Sequence, residues 1–101
     1  MELKALTQVM HEFVASKGWY AADSKRQQTP RNIAISLSLE ASEVLEHFQW
    51  RDEAPNREEL SRELADVALY LLQLASVTGI DLEQAILDKL KLNQGRTWDQ
   101  D

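Results

Sequence analysis

Two stretches of the sequence, 37–50 and 63–70, combine the periodicity of an amphipathic helix with acidic residues at apolar positions. A helix advances about 100° per residue, so residues three or four apart share one face. The acids form two pairs with this spacing, Glu40 with Glu43 and Glu63 with Asp66. Both helices therefore direct carboxylates toward the stripe that should face the core, which limits the chain to folds that can accommodate them.

Each stripe is centred on the first acid of its pair. The stripes comprise Ile33, Leu37, Val44 and His47 around Glu40, and Leu60, Val67, Tyr70 and Leu74 around Glu63. Carboxylates do not stay ionised in an apolar interior unless a cation or hydrogen bonds compensate for the lost hydration. A hard divalent cation such as Mg²⁺ takes oxygen ligands and leaves positions open for water and phosphate. The two pairs on adjacent helices therefore predict a metal site.

The charge balance excludes several classes of partner. Eleven Lys and Arg against seventeen Asp and Glu give a formal charge of −6. Such a surface repels nucleic acid and anionic membranes, so a phosphate-bearing ligand must be held by a metal or by a local group of cations. The absence of cysteine excludes disulfides and thiolate metal sites. With neither a signal pattern nor a long apolar run, we expect a cytoplasmic protein.

The composition favours an all-α fold in one domain covering residues 1–101, because Leu, Ala and Glu are abundant and the chain has only three Gly and two Pro. Capping signals place the helix starts at Thr29-Pro30, Asn56 and Asp81. The predicted helices cover 3–17, 30–50, 56–78 and 81–96, and the short connections predict antiparallel neighbours. Gly18 and Gly79 are expected to end helices, and residues 19–29 to form a loop.

The third helix predicts an oligomer. Its second half, VALYLLQLA at 67–75, is apolar around most of the helix. A bundle of this size cannot cover both faces of such a helix within one chain. We therefore expect a four-helix bundle completed by dimerisation, as a homodimer or a homotetramer.

The order of these motifs resembles a known family. E-x-x-E, nineteen residues, E-x-x-D, an apolar helix and a basic final segment are similar to the MazG superfamily of all-α nucleoside triphosphate pyrophosphohydrolases. EASEVLEHFQW, ELADVALYL and KLKLNQGR most resemble its short single-domain branch, which includes dCTP pyrophosphatases. The likeness runs from about Pro30 to Arg96, roughly two thirds of the chain.

The resemblance implies an activity. Members of this family cleave a nucleotide between its α- and β-phosphates with Mg²⁺, which Mn²⁺ can replace, and release the monophosphate and pyrophosphate. Glu40, Glu43, Glu63 and Asp66 match the metal-binding and catalytic acids of the family. A pyrimidine deoxynucleotide such as dCTP, or a modified form of it, is the first expected substrate, and removal of non-standard nucleotides is the implied role.

Phosphate contacts are expected near the C-terminus. Lys89, Asn93 and Arg96 are spaced by four and three residues, so they share one helical face, and they match the basic end of the family pattern. Their role would be to hold phosphate oxygens that the metal does not. The alternative is that Lys and Arg simply favour a helix C-terminus.

Base contacts are expected from aromatic residues close to the acids. Trp50 lies seven residues after Glu43 and Tyr70 four after Asp66, so a base could stack there. The resemblance assigns a matching Trp and Tyr to the base pocket, and Phe48 could form its wall.

Two positions depart from the family pattern. Where relatives carry a His just before Pro-Arg-Asn, this chain has Gln28 or Thr29, which leaves base preference open. Leu39 precedes Glu40 where longer members carry a second Glu, and this favours the short branch. His47 is interpreted as a packed or interfacial residue, and Glu46 as a surface acid that could support the site from outside.

Two other functions compete with the enzyme. A di-iron protein would need Glu-x-x-His on two helices, but Val44 occupies the position three before His47. The stronger alternative is a non-catalytic oligomerisation or regulatory module whose buried acids pair with Lys89 and Arg96. Metal-dependent stabilisation would distinguish the two, because only a metal site gains by mass action.

Overall fold

The computed structural model describes residues 1–53 and 55–96, and these form four α-helices and no strand. The helices are α1 (Leu3–Ser16), α2 (Pro30–Glu46), α3 (Arg57–Val77) and α4 (Leu82–Gln94). This confirms the predicted all-α class.

Side-chain caps start three of these helices as expected. The side chains of Thr29, Asn56 and Asp81 each accept a hydrogen bond from the backbone N–H three residues later, at 3.1–3.2 Å. Such a cap satisfies one of the N–H groups that a helix start leaves without a partner and contributes about 1 kcal/mol.

Glycines end α1 and α3 at the predicted places. Gly18 and Gly79 have φ angles of 74° and 75°, in the left-handed region that side chains with a Cβ disfavour. After α3, the N–H of Ile80 donates to the carbonyl of Ala75 at 2.8 Å, and that of Gly79 donates to Ser76 at 3.0 Å. This pair of bonds is a Schellman motif, which turns the chain away from the helix axis.

The predicted end of α2 is wrong. The helix stops at Glu46, and residues 47–50 form a turn in which Phe48 donates to the carbonyl of Leu45 at 3.0 Å. Bonds to the third preceding residue tighten the last turn, and Trp50 then takes a φ of 69°. The chain has no glycine there to signal the end, so Trp50 holds the left-handed position that glycine usually occupies.

The core lies where α1 and α2 pack on α3. Contacts between Gln28 and Gln73 and between His47 and Glu63 show that α2 and α3 run antiparallel. The apolar side chains buried most deeply are Met10, Val14, Ile33, Leu72 and Ala75. The stripes predicted around Glu40 and Glu63 are confirmed, because every one of their apolar members is buried or half-buried.

The fourth helix departs from expectation. The chain bends by 100° between α3 and α4, across residues 78–81, so these two helices are not antiparallel. The Schellman motif and the Asp81 cap follow each other directly, and they fix the turn. Large apolar side chains of α4 remain 44–56% exposed: Ile86, Leu87, Leu90 and Leu92.

No single helix in the described ranges is both long and apolar enough to cross a membrane. The α3–α4 pair reaches the length and apolar composition of a membrane span only when the two helices, which are bent relative to each other, are counted together.

Candidate active site

The four predicted acids lie on the facing sides of α2 and α3. Glu40 and Glu63 are half-buried on their stripes, whereas Glu43 and Asp66 are exposed at the edge of the same helix pair. Glu40 interacts electrostatically with all three of the others. The structure therefore brings the four acids into one region.

Glu40 is the acid in the least favourable environment. Its Oε2 atom is buried and has no hydrogen-bond partner among the described residues. Burial raises the pKa of this carboxyl above its usual value of 4.5, a close approach to Glu43 adds to the shift, and the charges of Asp66 and Glu63 raise it further. A buried carboxylate oxygen without a donor is destabilising unless a cation or a proton compensates.

Glu63 has a partner that the sequence did not indicate. Its Oε2 lies 2.5 Å from Nε2 of His47, whose side chain is 9% exposed. The prediction that His47 is a packed residue is correct, but its ring also holds one oxygen of Glu63. His47 follows Glu40 by seven residues and so belongs to the predicted stripe that faces α3, and this was the available signal.

The acids fit a divalent cation. All four donors are hard oxygens, the type that Mg²⁺ and Mn²⁺ bind, and the buried Oε2 of Glu40 lacks a partner that a cation would supply. In the described ranges no three His, Asp or Glu side chains already converge tightly enough to hold one ion. A cation that binds here would have to draw the carboxylate oxygens of the two helices together, against their mutual repulsion when no metal is bound.

A cavity of about 750 Å³ adjoins the acids, and Asp66 forms part of its lining. This volume falls within the roughly 300–1,000 Å³ range of small-molecule sites. The apolar part of the lining comes mainly from α1, including Leu6, Val9 and Phe13, with smaller contributions from α2 and α3, such as Ile35 and Leu69. The polar part includes Gln27, Gln28, Asn32 and Gln73.

The aromatic residues predicted to bind the base are separated by the structure. Tyr70 is half-buried and lines the cavity. Phe48 and Trp50 are not among the lining residues, and Trp50 is 94% exposed. Their predicted alignment with the acids assumed that α2 continued to Trp50, whereas both lie in the turn after it. Their contact with a base stays a prediction.

The predicted phosphate-binding residues lie on or just after α4. Lys89 and Asn93 are one helical turn apart in α4, and Arg96 follows its end. Among the described residues, no ion pair joins Lys89 to any of the four acids. The contact of Lys89, Asn93 and Arg96 with phosphate stays a prediction.

The 19–29 loop forms a wall of the cavity, a role that the sequence had left open. Trp19, Lys25, Arg26, Gln27 and Gln28 all line the cavity. Trp19 packs edge-on against Phe13 with ring centroids 5.8 Å apart, and the Arg26 guanidinium lies 5.6 Å from the Trp19 ring centre. Two cations thus face a cavity that also borders Asp66. The basic composition of the loop was the available signal.

The four acids of this site lie in a part of the chain that matches a known family. Residues 35–100 match the model of the MazG-like family. The chain belongs to the MazG-like family. The matched range contains all four acids and Tyr70, and the cavity wall contributed by α1 and the 19–29 loop precedes it.

Two dCTP pyrophosphatases are similar to this protein over nearly its whole chain. A dCTP pyrophosphatase 1 from Bos taurus is 34% identical over 103 residues, and the protein of that name from Homo sapiens is 31% identical. Each match covers 93% of this chain but 58% of the relative. A solved structure of a pyrophosphatase from Archaeoglobus fulgidus superposes with a TM-score of 0.80 at 32% identity, covering 97% of this chain and 93% of the other.

Proposed function

We propose that this protein is a nucleoside triphosphate pyrophosphohydrolase that cleaves a (d)NTP to the (d)NMP and pyrophosphate, with a pyrimidine deoxynucleotide such as dCTP preferred. The observation that carries this proposal is the buried, unpartnered Oε2 of Glu40, which lies near three further acids, one of which, Asp66, lines a nucleotide-sized cavity. Similarity to dCTP pyrophosphatases and to an archaeal pyrophosphatase supports it.

The cofactor we propose is Mg²⁺, held by Glu40, Glu43, Glu63 and Asp66. When bound, it supplies charge neutralisation for the phosphates and activation of the attacking water. His47 fixes one oxygen of Glu63 and so limits the orientations of that carboxylate.

The remaining residues of the site bind and orient the substrate. Lys25 and Arg26 line the same cavity as Asp66 and can attract phosphate oxygens there, and Lys89, Asn93 and Arg96 are proposed to assist. The apolar wall excludes water from the base and offers Phe13 and Tyr70 as aromatic contacts. Holding both ends of the nucleotide places the α-phosphorus near the acids, and positioning alone can supply much of the rate enhancement.

Product analysis tests the proposed function. Wild-type protein should convert dCTP to dCMP and pyrophosphate in equal amounts, and the reaction should stop when EDTA removes divalent metal and resume with added Mg²⁺. Release of inorganic phosphate and dCDP would instead indicate cleavage at the γ-phosphate. No product from any dNTP or NTP would contradict the enzyme assignment.

We also propose that the working form is a dimer or a dimer of dimers. The chain exposes 8186 Å², whereas a compact monomer of 11.6 kDa would expose about 5,800 Å². Its radius of gyration is 16.4 Å, against about 13 Å for a compact domain of this length. The uncovered apolar side chains of α4 supply surface that a second copy can bury.

The oligomer is predicted to persist at low micromolar concentration. Light scattering coupled to gel filtration should give twice or four times the monomer mass of 11.6 kDa. The area by which this chain exceeds a compact monomer is larger than the area buried in most crystal contacts and is in the range of stable interfaces. A mass of 11.6 kDa at low micromolar concentration would contradict the proposal.

A further inference from the structure

Gln73 is a polar side chain at a core position of α3. It is 3% exposed, and its neighbours Leu72 and Ala75 are buried with it. Burying a carboxamide is unfavourable unless its hydrogen bonds are formed. Its Nε2 donates to Oε1 of Gln28 at 2.8 Å and to the hydroxyl of Tyr20 at 3.2 Å. Both bonds join α3 to the segment between α1 and α2.

A backbone carbonyl sets the orientation of these amides. Gln28 donates from Nε2 to the carbonyl of Arg26 at 2.6 Å, and a carbonyl can only accept. Oε1 of Gln28 is therefore the atom turned to Gln73, and it requires a donor. Only Nε2 of Gln73 can supply one, so the carboxamide of Gln73 has a single orientation.

The second arm of the network agrees with that orientation. Because the Tyr20 hydroxyl accepts from Gln73, its own proton is free to go to Nδ1 of His11, 2.5 Å away. Burial raises the pKa of Tyr20 above its usual 10.0, against the lowering effect of the Gln73 bond, so the hydroxyl keeps this proton at neutral pH. His11 then donates from Nε2 to Oγ of Ser76 at 2.6 Å.

One atom of the network is left over, and it belongs to a residue that lines the cavity. Nε2 of Gln73 donates two hydrogen bonds, to Gln28 and to Tyr20. Oε1 of the same carboxamide accepts no hydrogen bond within residues 1–53 and 55–96. Gln73 lines the 750 Å³ cavity together with Gln28. A fixed acceptor at the wall of a cavity discriminates between ligands that do and do not carry an N–H at that place.

We propose that Gln73 is a specificity-determining residue whose Oε1 accepts a hydrogen bond from the exocyclic amino group of a pyrimidine base in the cavity. Cytosine carries an N–H donor at position 4, where uracil and thymine carry an acceptor oxygen. The oxygen of Gln73 would attract the first and repel the second. This inference rests on the proposed function, because it assigns the base that the same site selects.

Wild-type protein provides the first test, and equilibrium binding makes it independent of catalysis. Calorimetry should show dCMP binding about 10-fold or more tightly than dUMP and than the deoxynucleotide of pyrimidin-2-one, which lacks the amino group without adding bulk. Equal binding of the three nucleotides, or no binding of any, would overturn the assignment of Gln73. Activity on dCTP bears separately on the proposed function.

The second test replaces the acceptor. Gln73→Met keeps the length of the side chain but removes the carboxamide, and we expect the ratio of kcat/KM for dCTP to that for dUTP to fall about 10- to 100-fold. The matched control is Gln84→Met, since Gln84 is exposed on α4 and is bonded to Asp88 rather than to the cavity. It should keep the wild-type ratio.

A third variant covers the case in which Gln73→Met does not fold. Tyr20→Phe removes only a hydroxyl at a residue that is 39% exposed. The Gln73 amide then loses one of the two hydrogen bonds that hold it. The ratio should fall by a smaller factor, about 2- to 5-fold. A ratio unchanged in every folded variant at position 73 or 20 would overturn the proposal, even if dCTP hydrolysis itself is confirmed.

Discussion

Replacing Glu40 with Gln should lower kcat/KM for the preferred nucleotide by on the order of 10³-fold, while making the metal-free protein more stable. The two effects have one cause. Glu40 has a buried oxygen without a partner and lies near three other acids. A neutral amide removes the repulsion, but it also removes the charge that a cation needs.

The pH dependence of this stability effect follows from the raised pKa of Glu40. Because the folded-state pKa exceeds the unfolded one, the folded metal-free protein holds its proton more tightly than the unfolded chain does. The contribution of Glu40 to the free energy of unfolding therefore decreases as pH rises from about the usual value of 4.5 through the folded-state pKa. The stability gained by Glu40→Gln should be greatest above that window and absent below it.

Thermal unfolding in EDTA at several pH values, together with steady-state kinetics in Mg²⁺, measures both effects. Glu12→Gln is the matched control, since Glu12 is an exposed residue of α1 and this change should alter neither quantity appreciably. A Glu40→Gln variant that retains wild-type kcat/KM would exclude this residue as a metal ligand. One that is less stable than the wild type in EDTA would contradict the electrostatic account.

Local signals in the sequence predicted most helix boundaries correctly. Thr29, Asn56 and Asp81 cap their helices because a short polar side chain can reach the N–H three residues on, whatever the tertiary fold. Burial along α2 and α3 also followed the helical period, because residues three or four apart share one face of a helix. Trp50 had no such signal, since only the backbone shows that it takes a left-handed conformation.

Features that depend on distant parts of the chain were not predicted. The angle between α3 and α4 depends on how the turn at Gly79 meets the cap at Asp81, which periodicity does not reveal. The contacts of Gln73 with Gln28 and Tyr20 join residues 45 and 53 positions apart. A polar residue inside the apolar run 67–75 was a sign of a buried contact, but its partners could be known only from the fold.

Adding Mg²⁺ should stabilise the fold by mass action, and this gives the largest predicted change in stability. At a free concentration one hundred times its Kd, a ligand that binds only the folded state adds about 2.7 kcal/mol to the free energy of unfolding. For a domain of about 100 residues this corresponds to a rise in Tm of roughly 10–20 °C. The cation would relieve the repulsion at Glu40 and supply a partner for its buried oxygen.

Ionic screening must be separated from binding, because any salt weakens repulsion among the exposed acids. KCl at matched ionic strength should raise Tm only slightly, and the Mg²⁺ effect should grow with the logarithm of its concentration once the site is saturated. Glu40→Gln should lose most of the Mg²⁺ increment, whereas Glu12→Gln should keep it. An equal rise in KCl, or a full rise in Glu40→Gln, would contradict a specific metal site and favour a non-catalytic helical module, in which the same acids would be stabilised by side chains of the protein alone.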